Sequence, residues 1–465
     1  MMEAQKIVRC IGKYIPECFY FETGGIIIMS GSGKTTVLGM PLRMYIALLA
    51  ITVFIACQGY LLNNIMGAFA CAMIVGTAFG LIGDKIPVWK DWLGGGILFA
   101  NLAASFINTF KLFPESTIKT MTVFNGSQGF LELYVVILIF GSVLSVERRL
   151  LIRSFIGYIP TILGAIAGSF ILCAGAAVLL GGSPVESVLS IAMPIMGGGN
   201  GAGAIPMSKI YGEVTGNNPS VWYASAFAVL MLGNIMAVLF AAFLNRLGER
   251  FPALTGNGKL LDVPSLSKEV PAQKQNAEIS MITYAAAFTL ALFVYMGAHY
   301  YAGKVSLINN YLHLGFKIHK FAFMIIFVML LNISNCVPDD LKAAAKNIQG
   351  FFVKYLSFPL LFCVGLSTNL NDYIKVLSIQ VIVYVFVVVL GACLGAALVG
   401  KLFHFYPIEA MITAGLCMAN AGGSGDVQVL GTAKRMELMP YAAISSRIGG
   451  AILLVIASFM FSKFM

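Results

Sequence analysis

Two glycine clusters and one arginine are the residues whose types and spacing could do chemistry: Gly197 to Gly201, Gly422 to Gly425, and Arg447. Glycine accepts positive φ and lets a ligand come close to the backbone. Amides freed at a turn or a helix N-terminus suit an anion such as a carboxylate. Arg447 stands in ISSRIGG, inside an apolar run. An Arg at the centre of a membrane helix costs roughly 2.5–3.5 kcal/mol on insertion scales, so it faces a cavity or a partner. Its guanidinium offers a fork to a carboxylate. Asp426, directly after GGSG, reads either as a cation ligand or as a structural partner of Arg447, and Glu409 is a second possible partner. Glu186 and Glu409 mark the polar starts of two half-helices.

The elements that must position these residues are apolar. The chain has 465 residues, 59% of them hydrophobic and 11% charged, and a mean hydropathy of +0.87. Soluble domains carry about 25% charged residues. Apolar runs of the length needed to cross a bilayer fall at 42–62, 65–82, 93–113, 131–146, 155–180, 222–244, 281–301, 321–337, 351–366, 376–402 and 441–464. The pattern predicts an all-α integral membrane protein with about eleven transmembrane helices and two re-entrant hairpins, 184–218 and 407–439. A cytoplasmic tail, 1–41, precedes the first half, 42–247, and a polar cytoplasmic linker, 248–280, precedes the second, 281–465.

The two Gly-rich stretches repeat one another. The first reads PVESVLSIAMPIMGGGNGAG from Pro184, and the second PIEAMITAGLCMANAGGSGD from Pro407. Both open Pro-x-Glu, continue as an apolar half-helix and reach Gly-Gly-x-Gly. Each is followed by a polar return and then by Tyr-Ala opening an apolar span, at Tyr223 and Tyr441. Five spans lie between them, an odd number, so the copies have opposite orientation. Matched Gly-interrupted segments in inverted halves point to a transport site near the midplane. The competing reading makes them packing glycines between helices.

The formal net charge of +10 reads through the membrane rule rather than as a nucleic-acid surface: Lys and Arg gather in cytoplasmic loops. With the N-terminus in the cytoplasm, twenty-one of the 30 Lys and Arg fall on that side, among them Arg148, Arg149 and Arg153, and eight on the other, among them Lys209 and Lys320. The C-terminus then lies outside. Nine Cys show no CxxC spacing and four His no metal-ligand spacing, so no transition metal, disulfide framework or resident cofactor is indicated. GSGKTT at Gly31–Thr36 resembles a phosphate-binding loop, but Ile28 stands where its first Gly belongs and no βα unit surrounds it. An enzyme would need a nucleophile–base pair or a metal cluster, and a sensor an output domain. Neither is found.

The segments PIMGGGNGAGAIP, FYPIEAMITAGLCMAN, GGSGD and ISSRIGG resemble the bacterial 2-hydroxycarboxylate transporter family, over nearly the whole chain from Leu38. The resemblance implies a homodimer in the bacterial inner membrane, an elevator-like motion, and Na+ or H+ as coupling ion for citrate or malate. It implies substrate contacts at Asn200 and Gly201, with Gly199 beside them, and at Gly423, Ser424 and Arg447. Asn420 carries over to the cation region, where Ser424, Asp426 and Ser446 are candidate ligands. Sodium–citrate members carry an Arg where this chain has Ala421, so one fixed cation is missing. That points to a dicarboxylate such as malate, or to weaker citrate binding than in those relatives. Precursor–product exchange, malate or citrate against lactate, is the alternative to symport.

Overall fold

The computed structural model describes residues 27–29, 35–86, 95–146, 157–260, 279–311, 319–371 and 378–465. Arg148, Arg149, Arg153, linker residues 261–278 and most of GSGKTT lie outside them. The first described elements form a small antiparallel sheet of β1 (Ile27–Met29), β2 (Thr35–Val37) and β3 (Met40–Pro41). This corrects the all-α expectation at the end of the tail 1–41. Thr35 and Thr36 of the loop-like motif lie in a strand rather than at a helix start, where a phosphate-binding loop would place them.

The rest is helical. The helices are α1 (Leu42–Cys57), α2 (Ile65–Lys85), α3 (Gly95–Thr109), α4 (Glu115–Asn125), α5 (Phe130–Leu144) and α6 (Tyr158–Leu179). The first Gly-rich stretch gives α7 (Pro184–Met196) and α8 (Ile205–Thr215), the latter preceded by a π-helical turn at Asn200–Ala204. Then come α9 (Pro219–Arg250), α10 (Met281–Tyr311), α11 (Lys320–Ser334), α12 (Asp339–Leu366) and α13 (Ile379–Leu402). The second stretch gives α14 (Pro407–Leu416) and α15 (Gly423–Thr432), and α16 (Met436–Phe464) closes the chain. Among the described residues eight helices are long and apolar enough to cross a bilayer, α4 and α5 counting as one. Five apolar helices are shorter: α1, α3, α7, α11 and α14.

Local chemistry sets several of these boundaries. Ser183, Asn218 and Ser378 each accept a backbone N–H of the first turn of α7, α9 and α13. Pro184, Pro219 and Pro407 occupy first-turn positions, where a missing N–H costs nothing. Gly216, at φ 74°, stops α8 two residues before the expected hairpin end. The polar linker begins three residues later than expected, because α9 runs on to Arg250.

The helices sort into two bundles. One holds α1–α5 with α10–α12, and the other holds α6–α9 with α13–α16. The second is centred on α6 and α13, which cross where two small-residue stripes meet. A Cβ on Gly168 would lie 2.4 Å from the Gly391 carbonyl oxygen, and one on Gly395 would lie 2.0 Å from that of Gly164. Only glycine permits this approach. Close-packing glycines are therefore present on α6 and α13, the helices that precede the two hairpins. At 32 residues, α9 is about 48 Å long. It defines a linker end at Arg250 and a distal end at Pro219.

Candidate functional site

The two Gly-rich turns meet tip to tip. Gly198 donates its N–H to the Met418 carbonyl at 3.3 Å. Gly198, Gly199 and Gly422 have φ of 74°, 103° and 94°, a region that L-residues with side chains rarely adopt. A Cβ on Gly199 would fall 2.5 Å from the Gly422 Cα, and one on Gly198 would fall 2.1 Å from the Ser446 carbonyl oxygen. Glycine is thus needed twice over, for the turn and for the contact between turns. In each hairpin the first arm ends at the tip and the return arm begins there. Two helix N-termini, at Asn200 and Gly423, therefore start from one point. Their leading amides have no intrahelical acceptor and carry partial positive charge. Gly423 is exposed, with nothing within 4 Å of where its Cβ would stand.

The side chains at the tips are held from behind. Asn200 is 9% exposed and its Oδ1 accepts the Tyr223 hydroxyl at 2.8 Å, which fixes the orientation of its side-chain amide. Asn420 accepts the Gly422 N–H at 2.8 Å through Oδ1 and donates Nδ2 to Asp426 Oδ1 at 2.9 Å. Asp426 is 2% exposed, and its Oδ2 accepts Ser446 Oγ–H at 2.7 Å. The Ser446 hydroxyl also lies 3.2 Å from the Cys417 carbonyl. The structure therefore gathers Asn420, Ser446 and the Cys417 carbonyl about Asp426, and the oxygens of Asp426, Ser446 and Cys417 are of the kind hard cations take. Among the described residues no cationic side chain lies within 4.0 Å of Asp426. The Asn420 and Ser446 hydrogen bonds satisfy one lone pair on each oxygen of this buried carboxylate, and a bound cation would add a charge in direct contact. The side chain of Ser424 lies outside the described residues.

Arg447 sits on a π-helical turn, Ser445–Gly449, that interrupts α16. Such turns recur at functional sites because they re-aim one side chain. Its Nη1 donates to Ser145 Oγ of the other bundle at 3.2 Å. It lines a small cleft between the bundles. Leu138, Ile139, Ser142, Val143 and Ile325 form one wall of that cleft, and Gly201, Arg447, Ala451 and Leu454 the other. Of the two structural partners considered for Arg447, the geometry corrects Glu409. Asp426 makes no ion pair with Arg447 within 4.0 Å, but the two charges act on one another at longer range. Glu409, fully buried, is taken by Arg435 at 3.2 Å, Thr255 Oγ1 at 2.6 Å and the Gly256 N–H at 2.9 Å. Glu409 therefore does more than start a half-helix: it ties the beginning of the linker to the second hairpin. The Arg447 fork keeps N–H groups that this arrangement does not use.

Sequence reasoning missed three supports. Tyr223 was visible only as part of the repeat, not as the residue that orients Asn200. Asn234 accepts the Ala421 N–H at 3.0 Å and donates to Gln428 Oε1 at 3.1 Å, and so braces the second tip. Its signal was an Asn inside an apolar span, a position membrane helices rarely spend on a polar side chain without use. Arg435 counted only as a loop charge.

Residues 37–459 match the 2-hydroxycarboxylate transporter family. The chain belongs to that family. It is similar to a citrate/sodium symporter of Klebsiella pneumoniae, 40% identical over 91% of this chain and 94% of the relative. A Na(+)-malate symporter of Bacillus subtilis (strain 168) is 31% identical over 89% of each chain. A citrate/malate-proton symporter of the same organism is 31% identical over 91% of this chain and 92% of the relative. The transporter is a multi-pass membrane protein and not an enzyme. Of its candidate site residues, Gly201 and Arg447 line the cleft between its two bundles.

Proposed function

We propose that this chain is a symporter of small 2-hydroxydicarboxylates, malate first among them, coupled to Na+ and working in a bacterial inner membrane. The observation that carries this reading is the meeting of two helix N-termini beside one partly buried Arg. A dicarboxylate then has one carboxylate for the Arg447 fork and one for the amides that open at Asn200 and Gly423. A third carboxylate, as in citrate, finds Ala421 where citrate carriers resembling this chain place an Arg. The lost charge-assisted contact is worth roughly 1.5–3 kcal/mol. The relatives are named for citrate, malate, sodium and protons, which supports the substrate class and a monovalent coupling ion. Sodium is preferred because Asp426, Ser446 and the Cys417 carbonyl bring hard oxygen atoms together.

The inverted repeat accounts for the two hairpins. The helices that precede them, α6 and α13, cross through matched Gly-x-x-x-Gly stripes (Gly164 and Gly168, Gly391 and Gly395). Alternating access follows as a slide of the hairpin bundle along the other one. Leu138, Ile139, Val143 and Ile325 facing Ala451 and Leu454 make non-directional contacts that tolerate such a slide.

Competition uptake in proteoliposomes tests the substrate assignment. Malate should be preferred to citrate by about ten- to a hundred-fold in apparent affinity. Ala421→Arg should narrow or reverse that preference, chiefly by improving citrate. Equal affinities in the wild type, with no change in the variant, would remove Ala421 as the discriminating position.

A further inference from the structure

A second group of charges lies outside the site. At the distal end, Lys209 and Glu213 on α8 face Glu132 on α5, Tyr295 on α10, and His319 and Lys320 at the start of α11. Lys320 pairs with Glu132, and its Nζ lies 3.2 Å from Glu213 Oε1. Lys209 Nζ lies 3.4 Å from Glu213 Oε1 and 3.9 Å from Glu132 Oε2. His319 Nε2 is 2.8 Å from Glu213 Oε2, and the Tyr295 hydroxyl donates to Glu132. His319 Nδ1 accepts the Phe321 N–H that it caps, so its ring proton sits on Nε2 and is donated to Glu213. Two carboxylates meet two ammonium groups, and the charges balance.

The membership of the group divides by bundle. Lys209 and Glu213 belong to the hairpin bundle, and the other four to its neighbour. The further hydrogen bonds between bundles fall at the same end: Asn218 Nδ2 to the Ser367 carbonyl and Thr368 Oγ1 to the Ser220 carbonyl, both at 3.3 Å, and the His319 N–H to Ser458 Oγ. Among the described residues the one other polar tie between bundles is Arg447 to Ser145. Ser145 is thirteen residues beyond Glu132, about 20 Å along α5. Among the described residues the cleft thus has a charged closure on its distal side and, Ser142 and Arg447 apart, apolar walls.

We propose that this cluster is a latch. Lys209 and Glu213 hold the hairpin bundle at one end of its travel, and their contacts with Glu132, His319 and Lys320 part before the cleft opens on the distal, outer side. The proposal rests on the sliding reading above. Its members meet neither substrate nor cation. They set how much of the protein waits with the outer side closed, and a ligand's apparent affinity falls with the fraction of protein able to receive it.

The double variant K209M/E213Q removes the hairpin's half of the latch without leaving an orphan charge, because Glu132 and Lys320 still pair with each other. Malate uptake should be measured from the outer side in oriented proteoliposomes and from the inner side in inverted ones. The expected result is an outer KM lower by about three- to ten-fold and an inner KM higher. K209R/E213D, which keeps both charges, should return both values toward wild type. A merely structural role would move both constants in the same direction or neither, and either result overturns the latch. Should the double variant not reconstitute, Glu213→Gln alone is read in the same way, with hydrogen exchange of the start of α11 in nanodiscs as second readout. Faster exchange there supports the latch and unchanged exchange overturns it. Absence of malate uptake by the wild type would count against the substrate assignment and not against the latch, which hydrogen exchange still tests.

Discussion

Arg447→Ala should abolish saturable carboxylate uptake at millimolar substrate while leaving the protein folded. Two charge-assisted hydrogen bonds of roughly 1.5–3 kcal/mol each correspond to a rise in KM of about a hundred-fold or more. The expectation of normal folding has its own ground. Arg447 makes one described hydrogen bond, to Ser145 at 3.2 Å, and it pairs with no described carboxylate. An Arg held for structure would resemble Arg435, which bonds Glu409, Asn245 and Thr255 in a closed network. Arg447→Lys should recover only part of the affinity, since an ammonium keeps the charge but loses the fork. Initial uptake rates of reconstituted variants, together with their thermal unfolding in detergent, check both halves of the expectation. Wild-type uptake by Arg447→Ala would remove this residue from the site.

Gly198→Ala should be nearly as damaging, by a different route. The new Cβ would meet the Ser446 carbonyl oxygen at 2.1 Å, in a backbone already at φ 74°. Neither atom sits on a flexible side chain that could swing away. Relief requires the two tips to separate, and with them the Gly198 to Met418 hydrogen bond and the alignment of the two helix N-termini. Uptake should fall to about a hundredth of wild type or less, since even small misplacements of a binding constellation cost about two orders of magnitude. Gly431→Ala is the matched control. It lies on the return arm of the second hairpin with open space around its Cβ position, and Ala is the better helix former. It should transport normally. A Gly198→Ala protein that transports as Gly431→Ala does would mean that the tips need not touch.

Much of this was legible before any coordinates. Hydropathy marked the apolar helices because a bilayer leaves the backbone few choices, although eight of those described, not eleven, are long and apolar enough to cross. The Pro-x-Glu openings and Gly-Gly-x-Gly turns marked both hairpins because proline and glycine act locally, through φ and through the missing N–H. Arg447 and Asp426 stood out as charges amid apolar residues. What stayed hidden was long-range. Glu409 looked like a helix start, and only the fold shows Arg435 and the Thr255 turn closing over it. Lys209, Glu213, Glu132 and Lys320 are spread over nearly 190 residues of chain, and no spacing rule joins them. The glycines of α6 and α13 read as ordinary span residues until the two helices were seen to cross. The strand at Thr35–Val37 was missed because three residues carry no period to detect.

The measurement that bears most directly on the central claim is labelled malate uptake into proteoliposomes with and without an imposed inward Na+ gradient. If carboxylate and cation share the paired tips, malate should accumulate above its external concentration when the gradient is present. It should only equilibrate, slowly, when the gradient is absent, and Asp426→Asn should lose the difference. Malate uptake that is absent, or that proceeds alike with and without the gradient, would contradict the account.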